Sequence, residues 1–304
     1  MIKKIKSDFF LKSLFNDILI EKISLEIVRN NKEIQKRLKI SINNYKDYYK
    51  IIIELTPVKK EKLKKEKNIF IQIKDENKLY YHIYFNNNEN EINRNYILKN
   101  EDIKKIRIKI DEKIDSLEKL FCDSDCLEKI NFIKFNRNDI YNLSKLFYNC
   151  ISLKEVNLSK LKTENVINME DIFYEYSSLK NLDISNFNTR NVNNMKSMFF
   201  GCSLIKELNI SNFDTSNVKN MYCMFYNCSS LKRLNLSNFN TSNVSNMCCL
   251  FYGCASLNYL DISNFNLDKV DDMLWMFSGC SDDLKNKIRD KNNNLREESF
   301  WDYN

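Results

Sequence analysis

The sequence predicts an α/β solenoid built from strand–helix units that recur with a period of 26. Residues of the same type recur at this period over the second half of the chain, and each unit passes from strand spacing to helix spacing along its length. A period of this size is typical of a stack in which each unit buries its apolar face against its neighbours. The period is seen at Cys202, Cys228, Cys254 and Cys280, at Met195, Met221, Met247 and Met273, and at Phe199, Phe225, Phe251 and Phe277.

Ahead of the repeats, the sequence predicts a helical N-terminal segment at 1–45 and a β-rich capping domain at 46–112. Apolar residues from Phe9 to Ile27 follow the spacing of an amphipathic face, and Lys32–Leu38 continue as a polar helix. From Tyr49 the apolar residues alternate, at Tyr49, Ile51, Ile53 and Leu55, until Pro57 ends the run. Strand-like runs follow at 69–73, 80–85 and 106–110. We expect this β-rich domain to cover the first repeat, whose apolar end would otherwise meet water.

The repeat region is predicted at 113–280. Residues 231–239 read L-x-x-L-x-L-x-x-F, the strand signature of a leucine-rich repeat, with Leu234 and Leu236 pointing inward. The register places six strands near Leu127, Leu153, Leu179, Ile205, Leu231 and Leu257.

The second half of each unit has helical spacing. In one unit the helical stripe consists of Val244, Met247, Leu250, Phe251 and Cys254. Thr241 or Ser242 suits the N-cap position. One position of the repeat holds glycine or asparagine, and it predicts a left-handed residue where each helix ends. The residues at this position are Gly201, Gly253, Gly279, Asn149 and Asn227.

After Cys280 the pattern stops, so 281–304 are predicted to form a polar capping helix and a tail, with Phe300 and Trp301 docking on the last repeat. The predicted fold is therefore a leucine-rich-repeat solenoid of the α/β class, preceded by the helical segment and the small β-rich capping domain.

The ten cysteines follow the repeat, with Cys150, Cys202, Cys228, Cys254 and Cys280 at one phase and Cys223 and Cys249 at another. A cysteine that recurs with the fold is a packing residue. Residues stacked about 5 Å apart lie within the Cα range of a disulfide. In-register side chains point the same way, however, so buried free thiols are the favoured interpretation.

One unit and its flanks carry a family resemblance. The motif consists of the run from Ser256 to Phe265 and of two segments before it, Val244-Ser245-Asn246-Met247 and Leu250-Phe251-Tyr252-Gly253-Cys254. It resembles the repeat of BspA-family leucine-rich-repeat surface proteins, and the resemblance covers roughly 143–280. The resemblance implies a binding or adhesion protein without catalytic activity, and many members are displayed on cell surfaces. A second run, Leu14 to Leu19, resembles an F-box-like helical start.

Charge and composition exclude several function classes. Residues 1–112 hold 26 Lys and Arg against 17 Asp and Glu, whereas the remainder holds 22 against 24, so nucleic-acid binding is confined to the front third as a minor alternative. With His82 as the only histidine, no C-x-x-C pair and scattered glycines, the chain offers no zinc site, His-based triad or phosphate loop. The sequence therefore predicts no enzyme, no metal and no cofactor.

The N-terminal region lacks the apolar run of a signal peptide, and no segment reaches the roughly 18 to 20 apolar residues of a membrane helix. These features predict a cytoplasmic protein without a membrane span. The alternative, from the family resemblance, is a cell-surface location.

The strand face is the predicted binding surface, and it carries three columns of side chains. Two columns repeat Asn or Asp and Ser, and we interpret them as structural hydrogen-bonding ladders along the stack. The third varies from unit to unit, which allows specificity for a partner. The candidate partner-binding residues are those of the third column: Glu155, Asn181, Glu207, Arg233 and Tyr259.

The predicted function is a non-catalytic scaffold that binds a protein partner through this face. The alternatives are a cell-surface adhesin-like binding protein and an F-box-like adaptor that uses the helical N-terminus. The sequence identifies neither the partner nor the oligomeric state.

Overall fold

The computed structural model describes residue 7 and residues 31–38, 42–292 and 294–302. The chain divides into two compact units, Met1–Lys50 and Ile51–Asn304. In the first unit, helix α1 spans Lys32–Leu38, the position of the predicted polar helix, and helix α2 spans Ile42–Tyr49. Most of the predicted helical segment, including the F-box-like run, lies outside the described residues.

The second unit contains nine strands and one α-helix among its described residues. The strands are β1 Ile51–Pro57, β2 Lys67–Ile69, β3 Tyr81–Phe85, β4 Tyr96–Leu98, β5 Ile106–Ile110, β6 Leu127–Lys134, β7 Glu155–Asn157, β8 Arg233–Asn235 and β9 Tyr259–Asp261, and the helix is α3 Asp282–Arg289. Three short 3₁₀ helices lie at Lys60–Lys62, Asp75–Tyr80 and Glu297–Phe300.

The largest sheet has five strands in the order β3-β5-β1-β6-β7. Strand β1 pairs antiparallel with β5, where Ile53 faces Ile108, and with β6, where Leu55 faces Ile130. Alternate residues of β1, β3 and β5 are buried, as the alternating apolar pattern predicts. The run at 69–73 is the exception, because only Ile69 belongs to a strand there.

This sheet joins the β-rich region to the repeats. Strand β6 is the first repeat strand, and its other edge pairs parallel with β7, the strand of the next repeat. Because β1 lies along β6, the first repeat strand has no open edge on that side. One continuous hydrophobic core extends from Ile51 to Phe300.

Equivalent residues of successive repeats lie side by side. Parallel bridges join equivalent positions of neighbouring repeats, through Ser116, Asn142, Asn168, Asn194, Asn220, Asn246 and Asp272. Phenylalanine rings at another phase stack with centroids 5.6 to 5.8 Å apart and nearly parallel planes. These stacked rings are Phe121, Phe147, Phe173, Phe199, Phe225, Phe251 and Phe277.

The predicted fold class is nevertheless wrong, because the units are not strand–helix units. Between 113 and 281, all of which is described, the structure contains no α-helix, and the segments predicted as helices are runs of turns. The predicted strands near Leu179 and Ile205 are also absent, and most repeats contribute three strand residues or none. Over the residues that the structure describes, the protein is sheet-rich with small sheets and few helices, and it is not a leucine-rich-repeat solenoid.

The hydrogen bonding explains why the apolar spacing was misleading. In one repeat, the amides of Leu250, Tyr252 and Cys254 each donate to the carbonyl three residues earlier. The amides of Phe251 and Gly253, which lie between them, and that of Met247, which precedes them, donate instead to carbonyls of the following repeat. In an α-helix, each amide would donate to the carbonyl of the residue four positions earlier in the same helix. Successive turns bring Met247, Leu250, Phe251 and Cys254 to one buried side, as a helix would.

Left-handed residues maintain this run of turns. At the repeat position that holds glycine or asparagine, the backbone is left-handed as predicted, with φ of 70° at Gly253 and 53° at Asn227. Glu175 occupies the same position in its repeat and adopts the same conformation, with φ of 54°. A second left-handed residue, such as Cys249 at 56°, lies four positions earlier in each repeat. A positive φ at the third residue of a turn is the requirement of type II geometry. Two such residues per repeat are incompatible with a continuous right-handed helix.

The C-terminal segment takes the place of a further repeat. Ser281 caps α3 by accepting the amide of Leu284 at 3.3 Å. Beyond the helix, the carbonyl of Ser299 accepts the amide of Phe277, and the Phe300 ring stacks on Phe277 at 5.2 Å. The prediction that Phe300 docks on the last repeat is confirmed, whereas Trp301 is 56% exposed.

A buried threonine hydroxyl links neighbouring repeats. Thr189 Oγ1 donates to the Asp214 carbonyl at 2.9 Å and accepts the Asp214 amide at 2.8 Å. Thr163 and Thr241 make the same pair of bonds with the repeats that follow them. Thr241, a predicted helix cap, therefore binds the next repeat instead.

We expect Thr189→Val to lower the free energy of unfolding by about 2 kcal/mol, because it leaves an amide and a carbonyl of Asp214 without their buried partner. Thr189→Ser keeps the hydroxyl and is the matched control, with a smaller loss of about 1 kcal/mol from the missing methyl group. Chemical unfolding measures both. Equal stability of Thr189→Val and the wild type would contradict the role of this hydroxyl.

Candidate functional site

The five predicted partner-binding residues are all exposed. Glu155, Arg233 and Tyr259 are the first residues of β7, β8 and β9, while Asn181 and Glu207 occupy the same phase in repeats that form no regular strand. The structure thus places the whole column on the surface, one residue per repeat.

Three of these residues are brought together by pairing. Glu207 forms a parallel bridge with Arg233, and Arg233 pairs with Tyr259 in the sheet formed by β8 and β9. The Arg233 guanidinium lies over the Tyr259 ring, 4.4 Å from its centroid. Glu155 lies at the other end of the column, where its carboxylate meets Lys129 Nζ of the preceding repeat at 2.6 Å.

The Asn or Asp column and the Ser column are structural, but their bonds differ from those predicted. Each Asn or Asp Oδ1 accepts the amide of the serine two residues later in its own repeat, at 2.9 to 3.2 Å. The predicted bonds along the stack are therefore replaced by local caps. The capping residues are Asn157, Asp183, Asn209, Asn235 and Asp261.

Hydrogen bonding lowers the pKa of the aspartates that act as caps. The hydroxyl and amide of Ser185 hold the pKa of Asp183 below its ordinary value of 3.8, and Ser263 does the same for Asp261. Asp214 caps Ser216 at a different phase and is affected in the same way. These donors favour the charged carboxylate over the protonated acid.

A second surface was not predicted. Five aromatic side chains, one per repeat, stack in a row with centroids 4.3 to 4.5 Å apart. They line a groove of about 480 Å³, which we call the aromatic groove. The stacked residues are Tyr148, Tyr174, Phe200, Tyr226 and Tyr252. The signal was present in the sequence, because each of them follows a phenylalanine of the buried ring stack.

Charged side chains lie along the same groove. Lys196 Nζ contacts Glu170 at 3.0 Å, and Lys145 Nζ lies 3.7 Å from Asp171. Burial raises the pKa of Asp171, and the nearby Glu170 carboxylate adds to the effect. Both lysines are therefore matched by carboxylates, and the groove carries no large charge of one sign.

Two thiols, those of Cys223 and Cys249, line the aromatic groove. Cys223, Cys248 and Cys249 pack together in a cluster separate from the main core, with Tyr222 and Trp275 at its border. All ten cysteines are free, and nine are buried. The prediction of buried free thiols is therefore confirmed for the five cysteines of the main phase.

His82 lies in β3, half-buried, with Nδ1 3.1 Å from Glu91 and Nε2 3.4 Å from Asp111. Within the described residues, no group of three or more histidine, cysteine or acidic side chains is arranged to hold a metal ion. Among the same residues, no helix is both long and apolar enough to span a bilayer.

Comparison with known families assigns the repeat region. A family model described as "Mycoplasma protein of unknown function, DUF285" matches residues 115–207 and 199–298. The chain belongs to the DUF285 family. The two consecutive matches agree with the predicted repeat character, and the DUF285 match does not extend to the finer BspA resemblance. No curated protein and no solved structure matched the chain.

The capping aspartates of this DUF285 protein predict a specific response to acid. Because their pKa values are lower in the folded state, they contribute stability that is present above pH 3.8 and is lost as the pH falls through their folded-state values. We expect replacement of Asp183, Asp214 and Asp261 by Asn to reduce the loss of stability between pH 7 and pH 3. Other repeats carry Asn as the cap at both phases, so the amide fits these sites.

Urea unfolding at the two pH values measures this effect. The matched control neutralises three exposed acids outside the caps, Asp115→Asn, Glu164→Gln and Asp271→Asn, and should retain the acid sensitivity of the wild type. An equal loss of stability in the wild type and in the variant without capping aspartates would contradict the assignment.

Proposed function

We propose that the protein is a non-catalytic scaffold that binds a protein partner through the exposed column from Glu155 to Tyr259. The observation that carries the proposal is a variable column of side chains on a backbone whose turns otherwise recur from repeat to repeat. Side chains that maintain the stack must recur, whereas these residues change in charge and size from one repeat to the next. Variation at an exposed position of a regular scaffold favours recognition of a specific partner.

The proposed interface is centred on the C-terminal part of the column, which consists of Glu207, Arg233 and Tyr259. Arg233 and Tyr259 belong to residue types that are enriched among interface hot spots. Their cation–π contact holds two large side chains in a defined arrangement before a partner arrives. Glu207 places an acidic group next to them, so the patch presents a carboxylate, a guanidinium and a phenol in successive repeats.

The neighbouring columns support this proposal by fixing the backbone. Asn235 caps the amide of Ser237 in the repeat that carries Arg233, and Asp261 caps the amide of Ser263 in the repeat that carries Tyr259. A backbone held in this way loses little conformational freedom when a partner binds, which favours affinity.

The BspA resemblance and the N-terminal segment leave two rival proposals. An adhesin-like protein would act at the cell surface, whereas the scaffold is proposed to act in the cytoplasm, and the location of a tagged full-length copy distinguishes them. An F-box-like adaptor would lose a binding partner on deletion of residues 1–45, whereas the scaffold would retain every partner that the repeats bind.

We expect the double substitution Arg233→Ala/Tyr259→Ala to weaken partner binding by at least about 2 kcal/mol, roughly thirtyfold, as is typical when hot-spot side chains are truncated. The measurement is quantitative recovery of partners from native cell extract on immobilised full-length protein, followed by titration of each recovered partner.

The matched control is Lys160→Ala/Lys162→Ala, which removes two exposed side chains elsewhere on the repeats. It should bind every partner as the wild type does. Undiminished binding of all partners by the Arg233→Ala/Tyr259→Ala variant would rule out this patch as the interface.

A further inference from the structure

The strand of the last repeat, β9, has one edge that no other strand covers. Strands β8 and β9 form a parallel pair in which Arg233 lies beside Tyr259 and Asn235 beside Asp261. Among the residues that the structure describes, no strand pairs with the opposite edge of β9. The segment around Ser299 completes the turns of the last repeat, but it does not pair with the strand of that repeat. The stack therefore ends at β9 without a substitute for the next strand.

Backbone groups that join one repeat to the next are left unbonded at this edge. In the preceding repeat, the Lys232 carbonyl accepts the Asn258 amide at 3.0 Å, and the Leu236 amide donates to the Asp261 carbonyl at 2.9 Å. The equivalent groups one repeat later are the Asn258 carbonyl and the Ile262 amide. Neither of them has a hydrogen-bond partner within the described part of the chain.

Leu260 lies between these two groups and adds two more. The bonds from β9 to β8 involve its neighbours, since the Tyr259 amide donates to the Lys232 carbonyl at 3.3 Å and the Asp261 carbonyl accepts the Leu236 amide. Successive residues of a strand direct their backbone groups to opposite edges, so the amide and the carbonyl of Leu260 face away from β8. The open edge thus presents two amides and two carbonyls, an arrangement that can pair with another extended chain.

The open edge faces a groove whose opposite wall is helix α3. The groove has a volume of about 380 Å³, which is within the range of ligand sites. Leu284 and Ile288, one helical turn apart in α3, line it together with Leu260 and Ile262 of the strand side. A chain that enters the groove therefore meets main-chain partners on one side and apolar side chains on the other.

The groove also carries an excess of positive charge. Lys287 and Lys291 of the helix side line it, and both are exposed. The carboxylate among the lining residues belongs to Asp261, and its Oδ1 already accepts the amide of Ser263 at 3.0 Å. Two ammonium groups against one carboxylate favour an occupant that carries acidic side chains.

We propose that the open edge of β9 binds an extended, acidic segment of a protein partner, which adds a strand to the sheet between β9 and α3. The main chain of the segment bonds to Asn258, Leu260 and Ile262, while its carboxylates lie near Lys287 and Lys291. The inference names the local structure of the partner and rests on the proposed function, since β9 also carries the last residue of the partner-binding column.

The test begins with a display library of short random peptides, selected on immobilised full-length protein. We expect the selected peptides to alternate apolar residues with others, to contain Asp or Glu, and to lack proline at central positions. Absence of any selected peptide would overturn the proposal. It would leave the partner-binding column intact, because the experiment on Arg233 and Tyr259 measures recovery of whole partners.

Methylation of single peptide nitrogens separates strand addition from recognition of side chains alone. Alternate amides of an added strand face β9, so methylation at one of two consecutive central positions should weaken binding at least about tenfold. Methylation at the other position should change binding little and is the matched control. Equal affinity of the two methylated peptides would contradict pairing with the edge of β9.

Hydrogen exchange locates the peptide on the protein. A saturating amount of the selected peptide should slow exchange of the Leu260 and Ile262 amides at least about tenfold, as measured by NMR. The Leu236 amide, already bonded to Asp261, is the control and should not change. Protection of the two amides before peptide is added, together with a dimer in sedimentation, would assign the edge to a second copy of the chain and overturn the proposal.

The acidic character of the segment is tested by removing the positive charge. Lys287→Gln/Lys291→Gln should weaken binding of the selected peptide at least about fivefold at low salt, the sum expected for two exposed ion pairs. The matched control, Lys160→Gln/Lys162→Gln, neutralises two exposed lysines elsewhere on the repeats and should bind the peptide as the wild type does. Equal affinity of the two variants would contradict an acidic occupant.

Discussion

The sharing of backbone amides between neighbouring repeats is the constraint on which the rest of this structure depends. Within each run of turns, alternate amides close a turn in their own repeat, and the others, such as those of Met221 and Phe225, donate to the next repeat. Neither set alone satisfies the backbone, and a buried amide without a partner is costly. Successive repeats must therefore keep a constant length and register, and the last one requires a substitute, which the segment around Ser299 provides.

Strict register divides the side chains into two kinds. In the interior, each side chain contacts the equivalent side chain of the neighbouring repeats. A residue type that packs well in one repeat therefore packs well in all of them, as the stacked rings from Phe121 to Phe277 show. On the surface, a column such as that of Glu207 and Arg233 is exposed and free to vary, because the local caps rather than these side chains fix the backbone. The same geometry that makes the interior uniform thus makes the exterior a surface on which different groups are displayed at fixed intervals.

The sequence reveals the 26-residue period, but it does not reveal the turns that the backbone forms within each repeat or the hydrogen bonds that join one repeat to the next. Glycine at 201, 253 and 279 correctly marked one left-handed residue per repeat, since glycine favours that conformation. The second left-handed column contains Lys145, Asp171, Ser197, Cys223, Cys249 and Trp275. Apart from Asp171, these residues are not of types that favour a positive φ, so the turns were taken for a helix. Apolar spacing could not correct this, because both backbones bury the same residues. The exposed column was predictable from alternation along a strand, whereas the aromatic groove depends on turns that propensities do not reveal.

The hidden left-handed column also explains how the thiol cluster arises. A side chain other than glycine in this conformation costs about 1 to 3 kcal/mol, so its position is imposed by the surrounding stack rather than by local preference. Cys223 and Cys249 occupy this column in consecutive repeats, and the register alone brings their sulfurs together, although a whole repeat separates them in the chain. Lys196, Tyr222 and Cys248 occupy the position just before this column in three consecutive repeats, and they lie beside the two sulfurs at the groove or in the thiol cluster. A cation, a phenol and three thiols therefore meet through stacking, a juxtaposition that no single repeat could produce.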